Sequence, residues 1–412
     1  MGISDGIRLY SALPRFDEAR TWAEIDLDAL RFNYKYLTKN LFERTAEAGF
    51  KRPEPICVVK ADAYGHGTCG AVPVFLSEGC RFFAVSSIEE AVEVRNICRA
   101  RGVKARILIL GVTLPGLVKK LAEYDIIATL PSPQHAERLS VAATEAGVRI
   151  SCHVKLDTGM NRLGFPASCD TDFEASADAI KKCASLKGIS LDGIFTHFSE
   201  ADDSDSEELT GKTLLQAERF FGVIRALERR RVKIPFKHVC NSASAIRFPA
   251  LALDGVRLGI VLYGTRPSEF FKLPLRSAMT FKTKISHIHT LKAGEAVSYG
   301  GVYTADRDTR IATLPVGYAD GFLRAYGGAR VMISTKDGEV EAPIIGRICM
   351  DQCMISLDGL DGASVGDEVT LFGDTQERLY ELAKIADTIP YEILCAVSAR
   401  VVRIYKEDGN VL

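Results

Sequence analysis

The segment ICVVKADAYGHG, residues 56–67, introduces the pattern of the first two-thirds of the chain. It begins with a short apolar run, Ile56–Lys60, that has no polar alternation, as is typical of a strand buried on both faces of a parallel sheet. The run ends on a lysine, and a bare cation is costly in apolar surroundings. Gly65 and Gly67 follow, and glycine lets the backbone approach a ligand closely. The segment therefore predicts a buried strand that ends at a lysine, beside backbone that a ligand can approach.

Seven further runs of this kind follow, with longer amphipathic stretches between them. The predicted strands are Ile56–Lys60, Phe82–Ser86, Arg106–Leu110, Ile126–Leu130, Arg149–Leu156, Leu191–His197, Phe236–Cys240 and Val256–Leu262. The predicted helices between them include Ser87–Ala100, Pro115–Tyr124, Gln134–Ala146 and Glu207–Arg231. Eight strands with seven or more helices predict an α/β fold, the (β/α)₈ barrel of the TIM type. A doubly wound open sheet is the alternative, but it usually has fewer strands, and no Gly-x-Gly-x-x-Gly follows the first strand.

After Gly264 the pattern changes to that of a half-buried sheet. Met279, Phe281, Thr283 and Ile285 alternate with more polar residues. Turn signals such as Asp337-Gly338 then separate further apolar segments. The strands predicted there are Thr309–Leu314, Arg330–Ser334, Ala342–Leu357, Glu368–Phe372 and Ala399–Tyr405. We expect a second, mostly antiparallel β domain.

Composition narrows the class of protein. The chain has 412 residues, enough for two domains, and a formal net charge of -1. No dense Lys/Arg stripe suggests nucleic acid, and no apolar run approaches the roughly 20 residues of a membrane span. The first residues lack the pattern of a signal peptide. The 11 cysteines are scattered without Cys-x-x-Cys spacing, which favours reduced thiols in the cytoplasm.

Reactive side chains of a barrel lie at the carboxyl ends of its strands. There Lys60 is either a solvated lysine at the rim or an amine that forms a Schiff base, as lysines of pyridoxal phosphate enzymes do. Lys155 and Asp157 share a strand face, and a local ion pair explains them equally well. His197 ends the sixth strand, although a lone histidine is more often a core residue.

The last two barrel strands add an anion site and a buried cation. Ser242 is predicted to cap the short helix after the seventh strand, and the same helix end could hold a phosphate. Arg257 lies inside an apolar strand and needs a partner there. Metal coordination fits poorly, because none of the seven histidines has ligand spacing. A serine hydrolase fits poorly too, since no Gly-x-Ser-x-Gly is present.

Taken in order along the chain, these motifs resemble the alanine racemase family from about Thr21 to Tyr405. Val58–Gly67 is similar to the family's pyridoxal phosphate attachment motif. The other matching segments are Ala23–Asp28, Lys155–Gly164, Thr196–Phe198, Asn241–Ala243, Arg257–Gly264, Ser298–Gly300, Pro315–Gly321, Gly346–Gln352 and Tyr391-Glu392. No single motif is decisive, but their common order and spacing are highly specific.

The resemblance implies a pyridoxal phosphate-dependent enzyme that acts on an amino acid as a homodimer with shared active sites. It implies a barrel of residues 27–268 and a β domain of residues 1–26 and 269–412. Lys60 would hold the cofactor and then move the α-proton on one face of the substrate. Tyr299 of the partner subunit would act on the other face, and inversion at carbon requires two such bases.

Further roles follow from the same resemblance. A phenol is a weak base at neutral pH, and the positive groups His197, Arg257 and Arg162 would strengthen Tyr299. Arg257 would face the pyridine nitrogen and keep it unprotonated, which disfavours transamination. The residues that would bind the cofactor are Lys60, Tyr64, Ser242, Arg257, Gly259, Ile260 and Tyr391.

The remaining expectations concern the substrate. Arg162 and Met350 would lie near its carboxylate, and Tyr318, Arg324, Arg347 and Asp202 along its access path. Lys155 matches a lysine that is often carbamylated in the family, which would convert one of two neighbouring cations into an anion. The predicted activity is interconversion of L- and D-alanine, as a supply of D-alanine for cell-wall peptidoglycan.

Other functions stay open on the sequence. A racemase of broader range would accept serine or basic amino acids, although Tyr391 argues weakly against it. A related decarboxylase fits less well, because the chain has Cys349-Met350-Asp351 where we would look for the decarboxylase cysteine motif. A non-catalytic pyridoxal phosphate-binding protein of this barrel type would lack the β domain and Tyr299.

Overall fold

A computed structural model describes residues 19–202 and 206–412. The predictions for the first eighteen residues lie outside this part of the chain. The first strand, β1 (Thr21–Asp26), runs directly into helix α1 (Leu27–Glu47). Asp26 caps that helix, because its carboxylate accepts a hydrogen bond from the amide of Ala29 at 2.8 Å.

Eight parallel strands form the barrel that the sequence predicts. They are β2 (Glu54–Val58), β3 (Phe82–Val85), β4 (Arg106–Ile109), β5 (Ala128–Leu130), β6 (Ile150–Asp157), β7 (Ile189–Phe195), β8 (Phe236–His238) and β9 (Gly255–Leu258). Neighbours along the chain pair in parallel, and β9 pairs back to β2. A bridge between Leu108 and Ile127 joins β4 to β5. β9 is joined to the end of β8 by the amide of Arg257, which donates to the carbonyl of Cys240 at 3.1 Å. The ring of strands is therefore closed.

Helices surround the barrel, as the amphipathic stretches predict. They are α2 (Thr68–Ser77), α3 (Ile88–Ala100), α4 (Val118–Glu123), α5 (Pro133–Glu145), α6 (Asp170–Ala184), α7 (Glu207–Arg229) and α8 (Ser242–Arg247). Ser87 caps α3 and Ser132 caps α5, each through a side-chain oxygen that accepts from a backbone amide. Within the described residues, no helix is long and apolar enough to cross a membrane.

The second half of the chain forms a ten-stranded, mostly antiparallel sheet. Its strands are β1, β10 (Met279–Lys284), β11 (His287–Leu291), β12 (Thr309–Leu314), β13 (Arg330–Thr335), β14 (Gly338–Ile345), β15 (Cys353–Ser356), β16 (Glu368–Phe372), β17 (Val402–Glu407) and Asn410–Val411. The sheet order is β11-β12-β15-β14-β13-β16-β10-β1-β17 and then 410–411. Helices α9 (Gln376–Ile385) and α10 (Pro390–Ala396) lie between the last two long strands. β1 pairs with β10 and β17 and so belongs to this sheet.

Two predicted strands are interrupted. The run Val256–Leu262 is a strand only to Leu258, after which Ile260–Tyr263 forms a turn of 3₁₀-helix. The run Ala342–Leu357 is two strands separated by residues 346–352. Gly346 breaks it with a φ of +67°, a conformation that a residue with a side chain rarely adopts. Each interruption falls within a segment that matches a family motif, Arg257–Gly264 in the first case and Gly346–Gln352 in the second.

Candidate active site

A cavity of about 410 Å³ opens at the carboxyl ends of the barrel strands. Its volume falls in the usual range for small-molecule sites. Most of the predicted site residues line it: Lys60, Tyr64, Lys155, Arg162, His197, Ser242, Arg257, Gly259, Ile260 and Tyr391. Asp202, expected on the access path, lines it too. The structure thus brings together residues that lie up to 331 positions apart in the sequence, from Lys60 to Tyr391.

Lys60 stands at the start of a strained turn. The four residues after it, Ala61 to Tyr64, all have φ between +51° and +54°, so the chain makes one left-handed turn without glycine. Each such residue costs roughly 1–2 kcal/mol for an L-amino acid. The turn then ends at Gly65, where a side chain would collide with the carbonyl of Leu394 in α10. The surrounding structure must hold this conformation, and strain of this kind is concentrated at functional sites.

The amine of Lys60 lies in surroundings that disfavour its charge. Burial is the largest cause that lowers the pKa of Lys60, and Arg162 lowers it further. A lowered pKa leaves more of the amine uncharged at neutral pH. The free amine is the form that attacks a carbonyl carbon, so this setting suits a lysine that forms a covalent bond.

Arg257 is buried in the floor of the cavity with its guanidinium almost fully engaged. Nη1 donates to the Nδ1 and the carbonyl of His238 at 2.8 and 3.1 Å. Nη2 donates to the carbonyls of Thr196 and Val239 at 2.7 and 2.9 Å, and lies 3.4 Å from Nδ1 of His197. Among the described residues, Nε has no acceptor, so it is the nitrogen left for a group in the cavity. Burial lowers the pKa of Arg257 to about 10, which still leaves it charged at neutral pH.

Two histidines that the sequence analysis did not select extend this contact into the barrel. Because Nδ1 of His238 accepts from Arg257, neutral His238 carries its proton on Nε2 and donates to Nδ1 of His153 at 3.0 Å. Burial lowers the pKa of His153 to about 3 and that of His238 well below its ordinary value, with neighbouring arginines adding to both shifts. A histidine inside an apolar strand, two residues before Lys155, was the available signal.

His197 is not the positive group that the sequence analysis expected. Burial is the main cause that lowers its pKa well below 6.5, and Arg257, Arg162, Lys155 and Lys60 all act in the same direction. Its Nδ1 faces Arg257, which can only donate. His197 is therefore neutral, with its proton on Nε2. It can position a neighbouring group by a hydrogen bond, but it adds no positive charge.

Ser242, Gly259 and Tyr64 form a small cradle where the last two barrel strands end. The predicted capping role of Ser242 is wrong: Asn241 caps α8, because its side chain accepts from the amide of Ser244 at 3.0 Å. Ser242 Oγ instead accepts from the amide of Gly259 at 2.9 Å. A Cβ on Gly259 would lie 2.6 Å from the hydroxyl of Tyr64, so glycine is needed for this close approach.

Lys155 lies deep beside the cavity and does not form the local ion pair that would explain it. Within the described residues its Nζ donates to the carbonyls of Leu156 and Leu163 at 2.6 and 3.4 Å. The carboxylate of Asp157 accepts instead from the amides of Gly159 and Asn161. Burial is the main cause that lowers the pKa of Lys155 to about 7. Its amine is therefore partly uncharged at neutral pH.

Five predicted residues do not line the cavity of their own chain: Tyr299, Tyr318, Arg324, Arg347 and Met350. Tyr299 and Met350 line a separate surface depression, with side chains 73% and 54% exposed. Tyr318 is 41% exposed, and its amide donates to the carbonyl of Cys349 at 3.1 Å, so the two loops lie side by side. The structure thus separates the predicted site into one group at the barrel mouth and another on the β domain.

Comparisons with known proteins decide the family. The family model described as "Alanine racemase, N-terminal domain" matches residues 25–267, and the one described as "Alanine racemase, C-terminal domain" matches residues 278–405. The chain belongs to the alanine racemase family. "Alanine racemase 1" of Clostridium acetobutylicum is 40% identical over 398 residues, which cover 95% of this chain and 96% of that protein.

Solved alanine racemase structures have the same fold. One from Clostridium difficile 630 has a TM-score of 0.85 and 39% identity, and the match covers 95% of this chain and 97% of that one. The Bacillus anthracis alanine racemase with bound L-Ala-P has a TM-score of 0.83 and 30% identity, with 97% of both chains covered. These matches confirm the predicted barrel with a second, mostly β domain, and the predicted family.

Proposed function

We propose that the protein interconverts L-alanine and D-alanine, with pyridoxal 5'-phosphate held by Lys60. One observation carries the proposal: a single barrel cavity collects Lys60 on its strained turn, Arg257 with a free Nε, and the cradle at Ser242 and Gly259. Family membership supports the reaction, because relatives that match nearly the whole chain are named alanine racemases.

The cavity offers hydrogen-bond donors for the phosphate and for the ring nitrogen of the cofactor. The Oγ of Ser242, the hydroxyl of Tyr64 and the amide of Ile260 are the donors at the cradle, and a phosphate fits there because no Cβ at position 259 fills the space. Among the described residues, the amide of Ile260 has no other acceptor. Nε of Arg257 would face the ring nitrogen. Tyr391 lines the cavity on the side of the β domain.

The bound cofactor would withdraw electrons from the substrate α-carbon, so that its proton can leave. The amine of Lys60 would hold the cofactor between turnovers and would carry that proton on one face of the α-carbon. Arg257 cannot readily give up a proton, so the ring nitrogen opposite Nε would stay unprotonated. Arg162, exposed at the rim, would bind the substrate carboxylate.

A second base must come from elsewhere, because inversion needs proton transfer on both faces. Tyr299 is exposed on the β domain and does not line the cavity of its own chain. We propose a head-to-tail homodimer in which Tyr299 of the partner subunit completes the site, together with Tyr318 and Met350 of the partner subunit. The neutral His197 would then position the tyrosine hydroxyl through its Nε2 hydrogen.

The wider proposals follow from these. The domain limits are 27–268 for the barrel and 1–26 with 269–412 for the β domain. The protein would act in the cytoplasm, where its eleven free cysteines stay reduced. It would supply D-alanine for peptidoglycan.

Subunit complementation tests the shared site and the reaction together. Lys60→Ala and Tyr299→Phe are each expected to be inactive with L-alanine. Mixing them under exchange makes dimers that have one intact site and one doubly defective site. Random pairing then restores about one quarter of the wild-type activity, since half the dimers are mixed and each has one working site. Lys119→Ala, an exposed lysine on α4, serves as the unaffected control.

Two results would contradict the proposal. Mixed dimers without activity would show that Lys60 and Tyr299 do not act at one shared site. Full activity in either single variant would remove that residue from the chemistry.

A further inference from the structure

A carboxylate from a neighbouring barrel helix holds the left-handed turn after Lys60. The amide of Ala61, the residue next to Lys60, donates to Oε1 of Glu90 at 2.7 Å. Glu90 lies in the first turn of α3, 29 residues further along the chain. Hydrogen bonds to a carboxylate are stronger than those between neutral groups, so this contact is well suited to oppose strain.

The second oxygen of the same carboxylate holds the end of a neighbouring strand. Oε2 of Glu90 accepts from the amide and from the hydroxyl of Ser86 at 2.7 and 2.9 Å. Ser86 follows β3 directly and lines the cavity. One carboxylate thus joins the backbone beside Lys60 to the adjoining barrel strand.

This arrangement differs from an ordinary helix cap. Ser87 and Glu90 have capping-box spacing, in which the glutamate would bind the amide of Ser87 itself. Here Ser87 accepts from the amide of Glu90 at 3.4 Å, but the glutamate reaches past Ser87 to Ser86 and Ala61. A helix-capping role would need neither of these two contacts.

Among the described residues, Glu90 is also the carboxylate whose charge acts on the amine of Lys60. The other groups that act on its pKa are Arg162 from the barrel and the thiol of Cys395 from α10. Burial and Arg162 lower the pKa of Lys60, whereas Cys395 and Glu90 raise it. Removal of the charge at position 90 should therefore leave the amine less basic.

We propose that Glu90 is a positioning residue for Lys60. Its carboxylate ties the amide next to Lys60 to the end of β3, and so fixes the left-handed turn and the direction in which the amine enters the cavity. The proposal deepens the proposed function and rests on it, because it assigns what holds the cofactor lysine in place.

The test follows Lys60 in the cofactor-free protein, without any amino-acid substrate. Reductive methylation with formaldehyde, followed by peptide mapping, gives the pH at which half of Lys60 reacts. In Glu90→Gln, which keeps the shape and one acceptor, this midpoint should fall by about half a unit or more. In Glu90→Ala, the rate at which added pyridoxal phosphate becomes linked to Lys60 should fall by about tenfold.

Glu89→Gln is the matched control, because Glu89 is exposed on the same turn of α3 and touches neither Ala61 nor Ser86 in the described structure. It should change neither quantity. The proposal would be overturned if the two Glu90 variants kept the wild-type methylation midpoint and the wild-type rate of linkage to pyridoxal phosphate, and differed only in a lower melting temperature. If wild-type Lys60 did not link to pyridoxal phosphate at all, the proposed function would fail, and the methylation midpoint would still decide the role of Glu90.

Discussion

Arg257 Nη1 lies 2.8 Å from Nδ1 of His238 and donates to it inside the barrel. Because an arginine only donates, this contact fixes His238 as a neutral acceptor and directs its remaining hydrogen to His153. Two uncharged rings in series therefore orient the guanidinium and give it no counter-charge. These hydrogen bonds hold the guanidinium of Arg257 beside the cavity, while burial disfavours a positive charge on either histidine.

Acid should destabilise the protein through its buried histidines. Burial lowers the pKa of His66 to about 4 and of His153 to about 3, and lowers those of His197 and His238 well below 6.5. As pH falls below about 6.5, the unfolded chain binds these protons first, so stability is complete above that pH and is lost toward the folded-state values. Each histidine contributes at most about 1.4 kcal/mol per pH unit.

Urea unfolding between pH 7 and pH 4 measures this loss. His153→Gln keeps an acceptor for His238 and should make the fall of the unfolding free energy with pH less steep by about one proton. His287→Gln removes an exposed histidine and should leave the slope unchanged. An unchanged slope in His153→Gln would mean that His153 binds a proton equally well in the folded protein.

Replacement of Arg257 should change the outcome of the reaction. In Arg257→Glu, a carboxylic acid near the ring nitrogen could share a proton with it, so the bound cofactor would become a stronger electron sink. We expect slower racemisation and more pyruvate per D-alanine formed, which a coupled lactate dehydrogenase assay measures. Unchanged pyruvate formation in a variant that still binds the cofactor would contradict the role of Arg257.

Lys155 should react with carbon dioxide. Its pKa, lowered by burial to about 7, leaves roughly half of the amine free at neutral pH, and the free amine is the nucleophile. A carbamate there would place an anion near Arg162, which is among the cations acting on Lys155. Native mass spectrometry in bicarbonate should show a labile adduct that degassing removes and Lys155→Met lacks. Equal masses under both conditions would refute the modification.

Tyr299→Phe should abolish racemisation and leave cofactor binding intact. The side chain is exposed in its own chain and outside the cavity that would hold the cofactor, so its loss disturbs neither the fold nor that cavity. Activity should fall by about a thousandfold or more, while the visible absorbance of the bound cofactor stays that of the wild type. Substantial remaining activity would show that another group is the second base.

The barrel could be predicted because its strands repeat one simple pattern. Runs such as Phe82–Val85 and Arg106–Ile109 are buried on both faces and begin at the predicted residue. The strand Glu368–Phe372 matches its prediction at both ends. The run Ala342–Leu357, which forms part of β14 and β15, was harder to predict, because residues 346–352 interrupt it with a loop that only Gly346 signals.

The charges of the site residues and the contacts between distant parts of the chain could not be predicted from the sequence. His197 was expected to be positive and is neutral, because its charge depends on burial and on four cations that lie 35 or more positions away in the sequence or across the barrel mouth. Glu90 was missed for a similar reason, since its contact with Ala61 crosses from one strand end to the next. The order of the motifs was enough to identify the family, whereas the protonation of His197 could be assigned only once the positions of its neighbouring groups were known.

The most direct test of the account is an assay of the purified protein with pyridoxal phosphate and L-alanine, read by chiral chromatography, with L-serine and L-lysine in parallel. The account predicts rapid formation of D-alanine to an equal mixture, with slow or absent D-serine and D-lysine. Loss of that activity in Lys60→Ala would assign it to this site. No turnover of L-alanine by protein that has bound the cofactor would contradict the central claim, and faster turnover of serine or lysine would make the protein a racemase of broader range.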